Sequence, residues 1–383
     1  MKKFFVLLLA LAMVFALAAC GETNTNTETT EEPAAFPGDG TVTMVVPFDP
    51  GSGDTEARMF AQYVSKYLGT TIVATNISGG GGGVGTQSVI NSAADGYPKT
   101  DKPIIKAPAH ACDAHFHIFG DPAKYPYGSE LRYQPGIFSA DDYSVYRDLV
   151  GIERMVMVQP SCFGKDNRCQ LDAARQFGLK NSRVVVDLDD DVSDRELAEL
   201  SAAGACGIRI KVKPIQPLTV GLAESLIPRI QLWENRCRET GWSLDFLFPD
   251  WLTTEMIPVL SKLRCNFTIA HMGMNKGCNG ISSEGFQKLK NLVSNGEGYC
   301  WIKLTAAYRI SIDPDYQDIV PMERALLEAA PDRIIWGSDY PHASFTQHNT
   351  VKLFNLLAQV APERDLLEKV LVHNPAVLYK FET

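Results

Sequence analysis

From about Ile104 to the C-terminus the sequence predicts an α/β fold, a closed (β/α)8 TIM barrel. Three observations predict it: eight apolar β-type runs, helical patterns between them, and no glycine-rich dinucleotide fingerprint after the first run. Strand alternating with helix implies parallel strands joined by right-handed crossovers. Eight such units over about 280 residues favour closure into a barrel, and the missing fingerprint counts against an open Rossmann sheet.

The runs are 111–119, 154–161, 183–188, 207–212, 243–248, 267–272, 299–305 and 333–338. Among the helices, one starts at Ser193 with Glu196 three residues on, a capping box, and ends near Gly204. Others are expected over 222–240, 253–263 and 320–330. Barrel enzymes carry their catalytic groups at the carboxyl ends of strands. His115 and His117 on the first run are spaced i, i+2, so both point to one side, and Asp113 shares that side by the same alternation. His271 closes the sixth run and Asp339 the eighth. Three imidazoles and a carboxylate at strand ends would converge above the barrel, which packing alone does not explain.

The segments before the barrel read differently. Lys2 and Lys3, the apolar run 4–17 and Leu17-Ala18-Ala19-Cys20 form a signal peptide over residues 1–20, with a lipobox that would lipidate Cys20. The alternative is an uncleaved membrane anchor. Residues 21–40 are a flexible tether rich in Thr, Asn, Glu and Pro. Residues 41–100 hold one small α/β lobe: strands at 43–47 and 71–74, a helix over 55–68, and a second helix through Ala94 opened by the glycines 79–83. Those glycines either place backbone N–H groups against an anion or make a flexible turn; no Gly-Lys-Ser/Thr follows to complete a Walker motif. Residues 101–108 are a linker, and 109–383 are the barrel.

The chain has 383 residues and a net charge of −9, which argues against nucleic acid, whose phosphates need a basic footprint. A small anionic substrate remains open, because local Arg and Lys can reverse the field within one cleft. The nine cysteines include no Cys-x-x-Cys pair. Cysteines scattered through apolar runs usually belong to reduced, cytoplasmic enzymes, whereas the N-terminus is addressed to the extracytoplasmic face of a membrane. The two ends of the chain thus point to different compartments. The oligomeric state is not legible.

Asp113-Ala114-His115-Phe116-His117, His271-Met272-Gly273, Trp336-Gly337-Ser338-Asp339-Tyr340-Pro341-His342 and Asn374-Pro375 resemble the amidohydrolase superfamily. Within it they are most similar to the lactonase branch typified by 2-pyrone-4,6-dicarboxylate lactonase. The similarity also takes in Tyr125-Pro126-Tyr127, Arg132-Tyr133, Gln159-Pro160-Ser161-Cys162 and Arg209. It implies that Asp339 activates water, that His115, His117 and His271 polarise a lactone carbonyl, and that Arg, Tyr and Ser hold substrate carboxylates. Arg209 and Arg309 are the first substrate-binding candidates, with Lys211, Lys303, Ser161 and Tyr133 after them. Residues 45–97 resemble the start of tripartite tricarboxylate transporter (Bug-type) solute-binding lipoproteins, through Val45-Val46-Pro47-Phe48, Gly51-Ser52-Gly53-Asp54, the glycine run and Asp95-Gly96-Tyr97. The second lobe of that family is absent, and a half-clamp is expected to bind weakly.

His115, His117 and Asp339 could hold one divalent ion such as zinc, but the fifth run carries no His. Catalysis without a cofactor is therefore expected, with the metal site as the alternative. The pocket departs from a dicarboxylate reader. The sequence reads Arg209-Ile210-Lys211-Val212-Lys213 where a second Arg is expected, Met274 replaces an Arg, and Phe246 or Phe248 stands for a Tyr. A lactone with one carboxylate is the expected substrate. The competing functions are a metal-dependent decarboxylase of the same superfamily and a solute-binding lipoprotein. The junction also fits a recombined gene or an assembly error.

Overall fold

The computed structural model describes residues 42–46, 52–68, 71–76, 102–128, 135–343 and 349–382. These residues divide into two compact units, 42–76 and 102–382. The expected signal peptide with Cys20, the expected tether, the glycine run with the helix expected after it, and Tyr133 lie outside them.

In the smaller unit β1 (Val42–Val46) and β2 (Ile72–Asn76) pair in parallel. Parallel pairing needs a crossover, and α1 (Ser52–Leu68) supplies it. Arg58 of α1 donates to Asn76 Oδ1 at 2.7 Å and to Ala74 O at 3.1 Å, tying the helix to β2.

In the larger unit eight strands follow one another: β3 (Cys112–Phe116), β4 (Arg154–Val158), β5 (Ser182–Val186), β6 (Ala205–Lys211), β7 (Ser243–Leu247), β8 (Phe267–Ile269), β9 (Cys300–Leu304) and β10 (Ile334–Trp336). Each is parallel to the next and hydrogen-bonded to it. The helices between them are α2 (Ala140–Val150), α3 (Arg168–Phe177), α4 (Asp194–Ala202), α5 (Leu222–Thr240), α6 (Asp250–Leu260), α7 (Glu284–Asn295), the single turn α8 (Ala307–Ile310) and α9 (Val320–Ala329). Short helices from Thr350 to Tyr379 finish the chain.

The first strand meets the last through residues just past the end of β10. Asp339 N donates to His115 O at 2.8 Å and His117 N to Tyr340 O at 2.9 Å. Asp113 strengthens this seam, accepting from Ser338 N at 2.9 Å and Ser338 Oγ at 2.5 Å. The strict alternation expected of Asp113, His115 and His117 does not hold, because the β3–β4 register shifts between Asp113 and Phe116. Asp113 therefore faces outward and accepts from Tyr143 of α2, while both histidines face the mouth. Burial pushes its carboxyl up to about 6.

Apart from a second register shift between β5 and β6, alternation on the other strands stacks the barrel interior in layers. Val156, Val158, Val185, Trp301 and Ile335 form an apolar floor with Leu378, Tyr379 and Phe381 of the C-terminus. Above it Arg209, Asp245 and Lys303 form a charged middle layer, all three buried. A second apolar cluster fills the space between strands and helices.

The candidate active site

Every predicted catalytic side chain sits at or just past the carboxyl end of a strand: His115 on β3, His117 after it, His271 two residues past β8 and Asp339 three past β10. Their rings and carboxylate converge. Asp339 Oδ1 lies 3.3 Å from His117 Nε2 and 3.5 Å from His115 Nε2. The ring centroids of His115 and His271 are 5.0 Å apart, and those of His115 and His117 5.2 Å. Gly337 permits the approach, since a Cβ there would stand 2.6 Å from His115 N.

The backbone that presents these groups is unusual. His271, Met272, Gly273 and Met274 run in succession with φ near +50 to +62°, and Asp339 has φ +55°. Left-handed non-glycine residues are disfavoured by roughly 1–3 kcal/mol each and concentrate where a side chain must be aimed. Here they turn His271 and Asp339 over the barrel mouth.

Each ring is also held from behind. His117 Nδ1 is 2.6 Å from Val158 O; a carbonyl only accepts, so Nδ1 carries the proton and Nε2 faces Asp339. Thr305 Oγ1 meets His271 Nδ1 at 2.6 Å and accepts from His271 N at 3.1 Å. Burial lowers His271 to about 3. Burial, joined by the nearby Lys303 charge, holds His115 well below an ordinary imidazole. Both rings are thus neutral near pH 7. Burial opposes ionisation of Asp339, but His271, His117 and His115 outweigh it and keep the carboxyl well below the usual range. The site is a carboxylate among imidazoles whose free nitrogens point inward. His115 Nε2 and His271 Nε2 have no hydrogen-bond partner among the described residues.

The cleft over this centre is lined by His117, Ser161, Arg209, Lys211, Arg309 and Asp339, among others. Of the predicted substrate contacts, Arg209, Arg309, Ser161 and Lys211 therefore reach the cleft. Lys211 is shared with Asp187, whose Oδ2 accepts from it at 2.5 Å. Arg209 Nη1 donates to Gln159 O at 2.8 Å. Lys303, expected at the substrate, lies elsewhere. It is wholly buried in the middle layer, bonded to Asp245 at 2.6 Å, and contributes no surface to the cleft. Its inward place on β9, two residues below Thr305, keeps it beneath the histidines. Phe246, Phe248 and Met274 are core residues.

Three residues went unassigned in the sequence. Tyr308 donates its hydroxyl to Asp339 Oδ2 at 2.6 Å. Thr305 holds His271, and Asp245 anchors Lys303. Alternation along 301–305 and 243–247 would have marked Thr305 and Asp245 as inward-facing. Nothing local marks Tyr308.

Among the described residues one group has the spacing of a metal site: His115, His271 and Asp339, with ligand atoms within 4.8 Å of one another. This differs from the expected set, His271 standing where His117 was placed.

A parallel eight-stranded barrel with His-x-His on its first strand, His after the sixth and Asp after the eighth defines a class of barrel hydrolases. The chain belongs to the amidohydrolase family, which it matches over residues 112–381. It is 34% identical over 277 residues to 4-sulfomuconolactone hydrolase of Hydrogenophaga intermedia, covering 71% of this chain and 89% of that protein. It is 32% identical over 299 residues to 2-pyrone-4,6-dicarboxylate hydrolase of Comamonas testosteroni, covering 74% and 95%. A stretch of 57 residues is 46% identical to protein BugT of Bordetella pertussis, covering 15% of this chain and 18% of that protein.

Proposed function

We propose that this enzyme opens a lactone of a carboxylate-bearing organic acid. The observation that carries the reading is the convergence of Asp339 with His115, His117 and His271 beneath a cleft bearing Arg209, Lys211 and Arg309. The relatives named as hydrolases of 4-sulfomuconolactone and 2-pyrone-4,6-dicarboxylate support it.

Chemically, Asp339 accepts a proton from water as the water oxygen bonds to the acyl carbon. The carbonyl oxygen becomes an oxyanion, stabilised by hydrogen bonds from imidazole N–H groups aimed into the site, His115 Nε2–H first among them; such donors are usually the largest catalytic contribution. The acyl–oxygen bond of the ring then breaks, and Asp339 returns its proton to the departing oxygen. The product is the open hydroxy acid or its keto tautomer. Arginine guanidinium groups at the cleft would take the substrate carboxylate in bidentate fashion. Lys211 is already partnered by Asp187, which favours a substrate with one carboxylate over a dicarboxylate.

Replacing Asp339 with Asn should cut turnover of a lactone panel by at least about a thousandfold with the far-UV circular dichroism unchanged. Near-native turnover would sink the reading.

The catalysis proposed is metal-free. A divalent ion such as zinc is the alternative, and would supply a polarised water or carbonyl. His117 fits a ligand role, since Val158 O fixes its Nδ1–H and leaves Nε2 available. His115 does not fit, because its Nδ1 faces the Lys303 ammonium rather than an acceptor. We also propose that a lipid on Cys20 anchors the chain to the extracytoplasmic side of a membrane, which fractionation against a Cys20→Ala variant tests.

A further inference from the structure

The middle layer of the barrel holds a buried relay to which the lactone-opening steps give no role. Lys303 Nζ donates to Asp245 Oδ2 at 2.6 Å, and Thr268 Oγ1 donates to the same oxygen at 2.7 Å. The same ammonium lies 3.3 Å from His115 Nδ1. Lys303, Asp245 and His115 are all essentially sealed from solvent.

The direction of that last contact follows from donor chemistry. An ammonium has three hydrogens and no lone pair, so Nδ1 must be the acceptor. A neutral imidazole that accepts at Nδ1 carries its hydrogen on Nε2. That nitrogen points toward Asp339 Oδ1 at 3.5 Å and has no hydrogen-bond partner among the described residues. A nitrogen bearing hydrogen has no lone pair to coordinate a metal. Ligating histidines instead donate their far N–H to a carbonyl or carboxylate, the arrangement His117 has and His115 lacks. Charge acts in the same sense. Arg209 Nε lies 3.7 Å from Asp245 Oδ1, so Lys303 and Arg209 put two cations beneath the site against one buried carboxylate. A divalent ion at His115 would be repelled from below.

We propose that Lys303 is a positioning residue that commits His115 to its Nε2–H form, making it a hydrogen-bond donor to the oxyanion and excluding it as a metal ligand. The inference deepens the metal-free lactone-hydrolase reading and rests on it.

The test uses the full chain labelled with 15N-histidine, His115 being assigned by loss of its signal in His115→Gln. Two-bond 1H–15N correlations should show His115 protonated at Nε2 and bare at Nδ1. A wild-type ring protonated at Nδ1 overturns the proposal. The variant Lys303→Met paired with Asp245→Asn removes the ammonium without stranding a carboxylate. It should populate the Nδ1–H form and bind zinc about 10- to 100-fold more tightly than wild type, a gain abolished by adding His115→Gln. Its kcat for a lactone should fall at least about tenfold with KM little changed. Wild-type zinc binding that depends on His115 also overturns the proposal. Should the double variant fail to fold, the wild-type spectrum alone decides. Because that spectrum needs no substrate, a failed lactone screen would count against the function while leaving the tautomer assignment to stand or fall separately.

Discussion

Asp339 is held from two sides. Its Oδ1 faces His115 and His117, and its Oδ2 accepts from Tyr308. The tyrosine uses up one oxygen and fixes the carboxylate plane, so the remaining oxygen is presented to water in one orientation. Tyr308→Phe should therefore lower kcat about 10- to 100-fold while leaving KM within about threefold, because the lost bond orients the base rather than the substrate. Steady-state kinetics on the best lactone would show this, and an unchanged kcat would refute the role. The strand-end placement of the four predicted catalytic residues was legible because the apolar runs and their ends are written in the chain. Tyr308 was not legible. It sits on the single turn α8 and meets Asp339 only through the packing of β9's loop against β10's.

At the level of elements, the best-read helix is α5, expected over 222–240 and found as Leu222–Thr240. Gly221 and Gly241 flank it in the left-handed conformation, a stop signal that sequence carries directly. At α4, Ser193 Oγ accepts from Glu196 N as expected of a cap. The helix expected over 253–263 forms three residues earlier, as Asp250–Leu260. Pro249, locked in extended backbone, serves as its N-cap, and Asp250 complements the first-turn dipole.

Helix α9 carries a buried acid, Glu323, whose carboxyl is raised to about 8 by burial. Below its ordinary value of 4.5 the group is neutral in folded and unfolded chains alike. Between there and about pH 8 the unfolded chain ionises and the folded chain resists, so stability is lost as pH rises. Glu323→Gln should then stabilise the barrel by roughly 1–3 kcal/mol at pH 8 and by nothing measurable at pH 4. Urea titrations at the two pH values would check this; equal effects at both would contradict it.

On the scale of the whole molecule, the family match begins at residue 112 and every proposed catalytic group lies in the 102–382 unit. A fragment starting at Lys102 should consequently keep kcat/KM within about twofold of the full chain. The full chain should fractionate with membranes, and the fragment and a Cys20→Ala variant should not. Loss of activity in the fragment would show that the first hundred residues contribute to catalysis. Among the described residues no helix is long and apolar enough to cross a membrane. Seven of the eight cysteines in the barrel are buried or half-buried, as small apolar residues would be.

The sequence alone determined the order of strands and helices, the barrel, and the strand ends that carry His115, His117, His271 and Asp339. Those properties follow from local periodicity and spacing. The tertiary structure decided the rest: Asp113 turned outward at a register shift, Lys303 placed under His115 instead of in the cleft, and Tyr308 brought to Asp339. A barrel brings together residues far apart in the chain, here 188 positions for Lys303 and His115. Which of their atoms meet depends on strand register and barrel closure, and local pattern does not encode either.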